Sequence, residues 1–165
     1  MTTPHEMHPD EWIDPYEKIM MVLGVLMLTG MMGTLLVAAF AFGIQVPSPE
    51  KQVNPNTISE QGPFSEPGLR DLGGGKYEAY IIGQIWFWNP REIRVPAGST
   101  VTFFITSKDV QHGFLLWHKN LNAQIVPGQV SKYTITFDEP GEYPYLCHEY
   151  CGIGHHTMSG VVIVE

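Results

Sequence analysis

Residues 19–44, IMMVLGVLMLTGMMGTLLVAAFAFGI, form a run of 26 positions without one charged side chain. As an α-helix the run would reach about 39 Å, enough to cross a hydrocarbon core of roughly 30 Å. A core helix of that length needs a large surrounding domain, which 165 residues cannot supply. A cleavable signal sequence carries Lys or Arg ahead of a shorter apolar run. Here Glu6, Asp10, Glu11, Asp14 and Glu17 precede it against Lys18 alone. One retained transmembrane helix is therefore expected, with residues 1–18 as a tail before it. Gly30, Thr34 and Ala38, spaced by four, read equally as a small-residue stripe for a neighbouring helix or as ordinary membrane composition. Lys18 and Lys51 flank the run one on each side, so the positive-inside rule does not orient it.

Beyond the run the pattern changes. Pro47, Pro49, Pro55, Pro63 and Pro67, then Gly73, Gly74 and Gly75, make residues 45–75 read as a linker without regular structure. From Lys76 onward short β-rich runs alternate with Pro and Gly. Strands are expected over 77–88, 93–95, 99–106, 130–137, 141–146 and 160–164. TVTFFI (100–105) and KYTITF (132–137) show the partial alternation of half-buried strands. Short strands at this density over residues 76–165 predict an all-β Greek-key sandwich. Seventeen acids against nine bases, a net charge of −8, argue against a nucleic-acid partner. Two cysteines exclude a disulfide framework and a Cys-rich zinc array.

Both of those cysteines fall in CHEYCGIGHHTM, residues 147–158. Seven of the eight methionines lie in the tail or the apolar run, and Met158 alone belongs to the sandwich. A thioether three residues after His155 and seven after Cys151 completes a set of soft and borderline donors that selects copper. Zinc rarely takes a thioether. His112 follows the strand ending near Thr106 and is the natural earlier-strand ligand. His5 and His8 read as solvated bystanders and His118 as a surface residue, while His148 and His156 adjoin ligands and are expected to point away. Two arrangements fit. One copper would use His112, Cys151, His155 and Met158 and leave Cys147 idle, as in a membrane-anchored blue-copper electron carrier. Two coppers bridged by both thiolates would use every soft donor, with a backbone carbonyl of the Cys147–Cys151 loop as one weak ligand. Coppers sharing +3 against two thiolates leave +1, and one added electron leaves zero. That cycle avoids the cost of a bare buried charge.

The pattern Cys-x-x-x-Cys-x-x-x-His-x-x-Met, with a histidine some 35 residues upstream, resembles subunit II of the heme–copper cytochrome c oxidases and its binuclear CuA centre. The resemblance covers most of the chain and implies a cupredoxin-like Greek-key sandwich behind one N-terminal transmembrane helix. The single helix is similar to the B-type (ba-type) oxidases. It implies that Cys147 and Cys151 bridge two coppers, that His112 and Met158 complete one, and that His155 and the Glu149 carbonyl complete the other. Trp86-Phe87-Trp88 resembles the aromatic run that receives electrons, with Trp86 in the receiving position. Tyr16-Glu17-Lys18 resembles the B-type segment whose glutamate, here Glu17, opens the proton-uptake path. The implied partners are heme-bearing subunit I, a c-type cytochrome or small copper protein as donor, and the plasma membrane of a bacterium or archaeon. The sandwich would then face the periplasm or cell exterior. Copper-delivery proteins of the Sco type share Cys-x-x-x-Cys, but their thioredoxin-like fold alternates helices and strands, which this chain does not.

Overall fold

The computed structural model describes residues 14–42, 49–60 and 62–165, and it divides into two compact units, residues 1–44 and 45–165. His5, His8 and the acids at 6, 10 and 11 lie outside the described residues, as do Pro47 and the last two positions of the apolar run. Within the first unit, helix α1 spans Pro15–Ala41. Its start is fixed by chemistry: the Asp14 side chain accepts the Tyr16 N–H at 2.8 Å, and Pro15 occupies a position where no intrahelical N–H is needed. The helix thus begins four residues before the uncharged run. Twenty-seven residues are long and apolar enough to cross a membrane. Thr29 and Thr34 satisfy their hydroxyls on the carbonyls of Val25 and Met31, both at 2.7 Å, so neither polar group is left to lipid.

The second unit is a β-sandwich. Among the described residues it contains eleven strands: β1 (Pro49–Gln52), β2 (Gly68–Gly73), β3 (Lys76–Gln84), β4 (Phe87–Asn89), β5 (Glu92–Val95), β6 (Ser99–Ser107), β7 (His112–Leu116), β8 (Leu121–Ile125), β9 (Gln129–Phe137), β10 (Gly141–Leu146) and β11 (Ser159–Val164). One sheet runs in the order β1-β9-β6-β3-β2, with β4 folded back on β3, and the other in the order β5-β11-β10-β7-β8. Two pairings are parallel, β3 with β6 and β5 with β11, and they mark the crossovers of the Greek key. Alternate residues of β6, β8 and β9 are buried, as the period-2 rule requires. Trp88, Phe103, Phe114, Phe137 and Tyr145 fill the space between the sheets.

The structure departs from the sequence reading in three places. The expected strand 77–88 is two strands: Gln84 pairs with Phe87, so Ile85 and Trp86 form a two-residue turn that carries no Gly or Pro to announce it. The hairpin of β7 and β8 was not expected, and it makes His112 the first residue of a strand. Residues 45–75 are not devoid of regular structure. Gly73, Gly74 and Gly75 all adopt positive φ and turn the chain from β2 into β3, so the glycine run is a hairpin turn. Ile58 and Phe64 pack with Tyr80, Ile82 and Val130 in a second small core on the outer face of the first sheet. Prolines interrupt long elements, but they leave room for strands of four to six residues.

Candidate metal centre

The turns at one end of the sandwich converge on a single cluster. β7 delivers His112. The hairpin of β10 and β11, paired in register from Gly141 opposite Val164 to Leu146 opposite Ser159, delivers residues 147–158 as its loop. The Cys147 N–H donates to the Met158 carbonyl at 3.1 Å and closes that loop at its base. Ligand atoms of His112, Cys147 and Cys151 all lie within 4.8 Å of one another. Cys147 Sγ is 3.8 Å from Cys151 Sγ, 3.9 Å from His112 Nδ1 and 3.3 Å from the Glu149 carbonyl oxygen. Cys151 Sγ is 3.6 Å from His155 Nδ1 and 3.7 Å from Met158 Sδ. His112 is fully buried, Met158 is 2% exposed, and the two cysteines are buried free thiols.

The structure therefore brings together all six positions named from the sequence. His118 lies on the turn after β7, exposed, and His156 is exposed as well. The His148 ring lies flat over Gly113, where a Cβ would sit 2.6 Å from it. Its Nδ1 stands 3.9 Å from the Glu149 carboxylate. The Glu149 side chain instead accepts from Gln124 at 3.1 Å. Glu17 sits in the first turn of α1, exposed.

Electrostatics prepares the thiols unequally. Burial alone would raise the Cys147 pKa, but His112 and the N–H groups of Gly113 and Glu149 outweigh it and hold the thiol at about 7. Cys151 is pushed up to about 11 by burial and by the neighbouring Cys147 thiolate. His112 is raised above its ordinary value: burial opposes protonation, while Cys147 and Asp109 overcome it. Sulfurs 3.8 Å apart are spaced as two ligands of one ion at metal–sulfur distances of about 2.3 Å. Two thiols, two imidazoles, a thioether and a carbonyl make a donor set that fits copper.

Trp86 belongs to this end too. Its indole N–H donates to the Cys151 carbonyl at 3.1 Å, and the ring lies against Gly152 and Gly154. It remains 40% exposed; its chain neighbours Ile85 and Phe87 are exposed, as are Tyr150 and Ile153 on either side of Cys151. The sequence reading missed Asp109. Its carboxylate meets His112 Nε2 at 2.9 Å and accepts the N–H groups of Ile85 and Val110, both at 2.6 Å. Burial would raise its pKa, yet these bonds hold it below the usual carboxylate range. An acid three residues before a candidate ligand histidine was the available signal.

A family model described as cytochrome c oxidase subunit II, periplasmic domain, matches residues 89–165. The cytochrome c oxidase subunit 2 of Thermus thermophilus is 38% identical over 117 residues, covering 70% of this chain and 87% of that protein. A chain in the structure of a heme–copper terminal oxidase dimer superposes with a TM-score of 0.76 at 34% identity, over 91% of this chain and 99% of its own length. The periplasmic domain of subunit II from Bradyrhizobium japonicum shares the fold, with a TM-score of 0.50 at 21% identity over 53% of this chain and 83% of that one. The sandwich is thus cupredoxin-like, as the resemblance implied. With a buried Cys-Cys-His cluster in a sandwich behind an apolar helix, the chain belongs to the cytochrome c oxidase subunit II family and is a component of a heme–copper oxidoreductase complex.

Proposed function

We propose that this chain is the electron-input subunit of its oxidase, built around a binuclear CuA centre. It accepts single electrons from a c-type cytochrome or a small copper protein and passes them to heme in subunit I, where oxygen is reduced to water. The observation that carries this reading is the position of Cys147. It lies in the buried cluster, 3.8 Å from Cys151, with His112 and the Glu149 carbonyl at hand, and is not an idle thiol at the margin. His112 and Met158 would complete one copper, and His155 with the Glu149 carbonyl the other. Copper held there supplies reversible one-electron exchange with no coordination position left open for substrate.

The protein's own residues do the rest. Burial of His112, Met158 and both sulfurs keeps water from the cluster and holds its ligands in fixed rotamers. Trp86 presents an exposed indole face to a docked donor while its N–H reaches the Cys151 carbonyl, which gives a short bonded path into the cluster. The apolar α1 would anchor the chain in the plasma membrane of a bacterium or archaeon, with the sandwich on the periplasmic or outer side. Glu17, in the first turn of that helix, would stand at the mouth of a proton path into a B-type subunit I.

The test is copper stoichiometry together with electron paramagnetic resonance of the full-length oxidised chain. Two coppers per chain, with hyperfine lines from one electron shared over two nuclei, are expected. One copper with a single-nucleus pattern would replace this reading with the membrane-anchored blue-copper carrier. In the assembled oxidase, Cys147→Ser and Cys151→Ser are each expected to stop cytochrome-driven turnover while the hemes still assemble. Trp86→Phe keeps an aromatic ring but loses the indole N–H, and should slow turnover with a soluble donor while copper content stays unchanged.

A further inference from the structure

The loop between β6 and β7 places one carboxylate between two functional elements that are far apart in sequence. Asp109 Oδ2 accepts the N–H of Ile85, in the turn that carries Trp86, at 2.6 Å. Asp109 Oδ1 stands 2.9 Å from His112 Nε2 and also accepts the Val110 N–H at 2.6 Å. Ser107 fixes the loop itself. Its hydroxyl donates to the Val110 carbonyl and accepts from the Asp109 N–H at 3.3 Å. An ionised carboxylate can only accept, so the proton shared with His112 sits on Nε2. In the neutral imidazole that leaves Nδ1 bare, and Nδ1 is the nitrogen aimed at Cys147 Sγ. Gly83 completes the seat: a Cβ there would stand 3.1 Å from the His112 ring and 2.8 Å from Trp88, so only glycine lets both rings pack.

We propose that Asp109 is the positioning residue of the centre, its two carboxylate oxygens joining the Trp86 turn to the His112 imidazole and fixing which imidazole nitrogen faces the thiols. The reason for a carboxylate is geometric. An amide of the same shape has one accepting oxygen and an NH2 that only donates, so it cannot accept both the Ile85 N–H and a proton on His112 Nε2. A second partner on a ligand histidine orients the ring and sets its tautomer, and losing such a partner typically costs about 10- to 100-fold in metal affinity. The inference rests on the copper reading for the role of His112, but its central claim is testable without metal.

The first experiment uses the full-length, metal-free chain in detergent micelles, labelled with 15N-histidine, at a pH where the imidazole is neutral. His112 is expected to show a protonated Nε2 and a bare Nδ1; the opposite tautomer overturns the proposal, and this reading needs no variant. The second compares Asp109→Asn with the parent chain. Amide hydrogen exchange at Ile85 should quicken, and copper affinity should fall about 10- to 100-fold while stoichiometry at saturating copper is retained. Unchanged affinity and unchanged Ile85 exchange in that variant overturn the proposal. Should the parent chain take up no copper, yet show the expected tautomer and an Ile85 exchange that responds to Asp109→Asn, the copper reading fails and the positioning role stands.

Discussion

Gly154 shows how tightly single residues hold the ligand loop to its neighbours. A Cβ there would fall 2.4 Å from Trp86 Cδ2, and one at Gly152 would fall 2.9 Å from the indole nitrogen. The indole cannot stay in place beside either added carbon. We expect Gly154→Ala to cost about 1–3 kcal/mol, the usual range for overpacking, and to shift tryptophan emission as the ring is displaced from the loop. Chemical denaturation and fluorescence of the full chain check both effects, and an unchanged spectrum would mean that the Trp86 contact is not rigid. At this scale the sequence was unevenly legible. Five of the six candidate ligand positions lie within twelve consecutive residues, so spacing pointed to one site, while the choice of the Glu149 carbonyl came only from the resemblance. Asp109 escaped because one of its partners, Ile85, lies 24 residues upstream, and an acid three residues before a histidine does not by itself mark a carboxylate as doubly engaged.

The hairpin of β10 and β11 governs the next scale. Tyr145, on β10, is fully buried, stacks on Phe114 and donates to the Pro90 carbonyl at 2.8 Å. It fits because Gly160 lies opposite; a Cβ there would stand 2.2 Å from the ring, so Gly160→Ala should force the two strands apart. Burial raises the Tyr145 hydroxyl well above its ordinary pKa near 10, and burial raises Tyr133 too. Above that ordinary value the unfolded chain gives up the proton while the folded chain keeps it. Stability from these groups is therefore whole below pH 10 and is lost as pH rises from there toward the folded values. Equilibrium unfolding between pH 8 and 11 should show that decline, and Tyr145→Phe should make it shallower. Strand existence was legible where side chains alternate, as in β6 and β9, and obscure elsewhere. β7, HGFLL, is buried almost throughout and lacks the period-2 pattern that marks a half-exposed strand. The turn at Ile85 and Trp86 is built from apolar residues that read as more strand.

For the whole molecule, charge bears on the encounter with the donor proposed above. Residues 45–165 hold twelve acids and eight bases, a net of −4, and the other −4 belongs to residues 1–18. The sandwich carries a weak field, and the residues exposed near Trp86 in the chain, Ile85 and Phe87, are apolar. We expect the second-order rate with a soluble donor to fall only modestly between low and physiological ionic strength; a steep loss would show that electrostatic steering dominates the encounter. The order of strands has a further consequence, for synthesis. β11, the last of the described strands in chain order, does not close an edge. It lies inside its sheet, parallel to β5 on one side and antiparallel to β10 on the other. A nascent chain that has not yet reached residue 159 holds β5 and β10 with an empty lane between them, and the ligand loop has only one of its two supports. The complete cluster is thus expected only once β11 has been made and seated between β5 and β10.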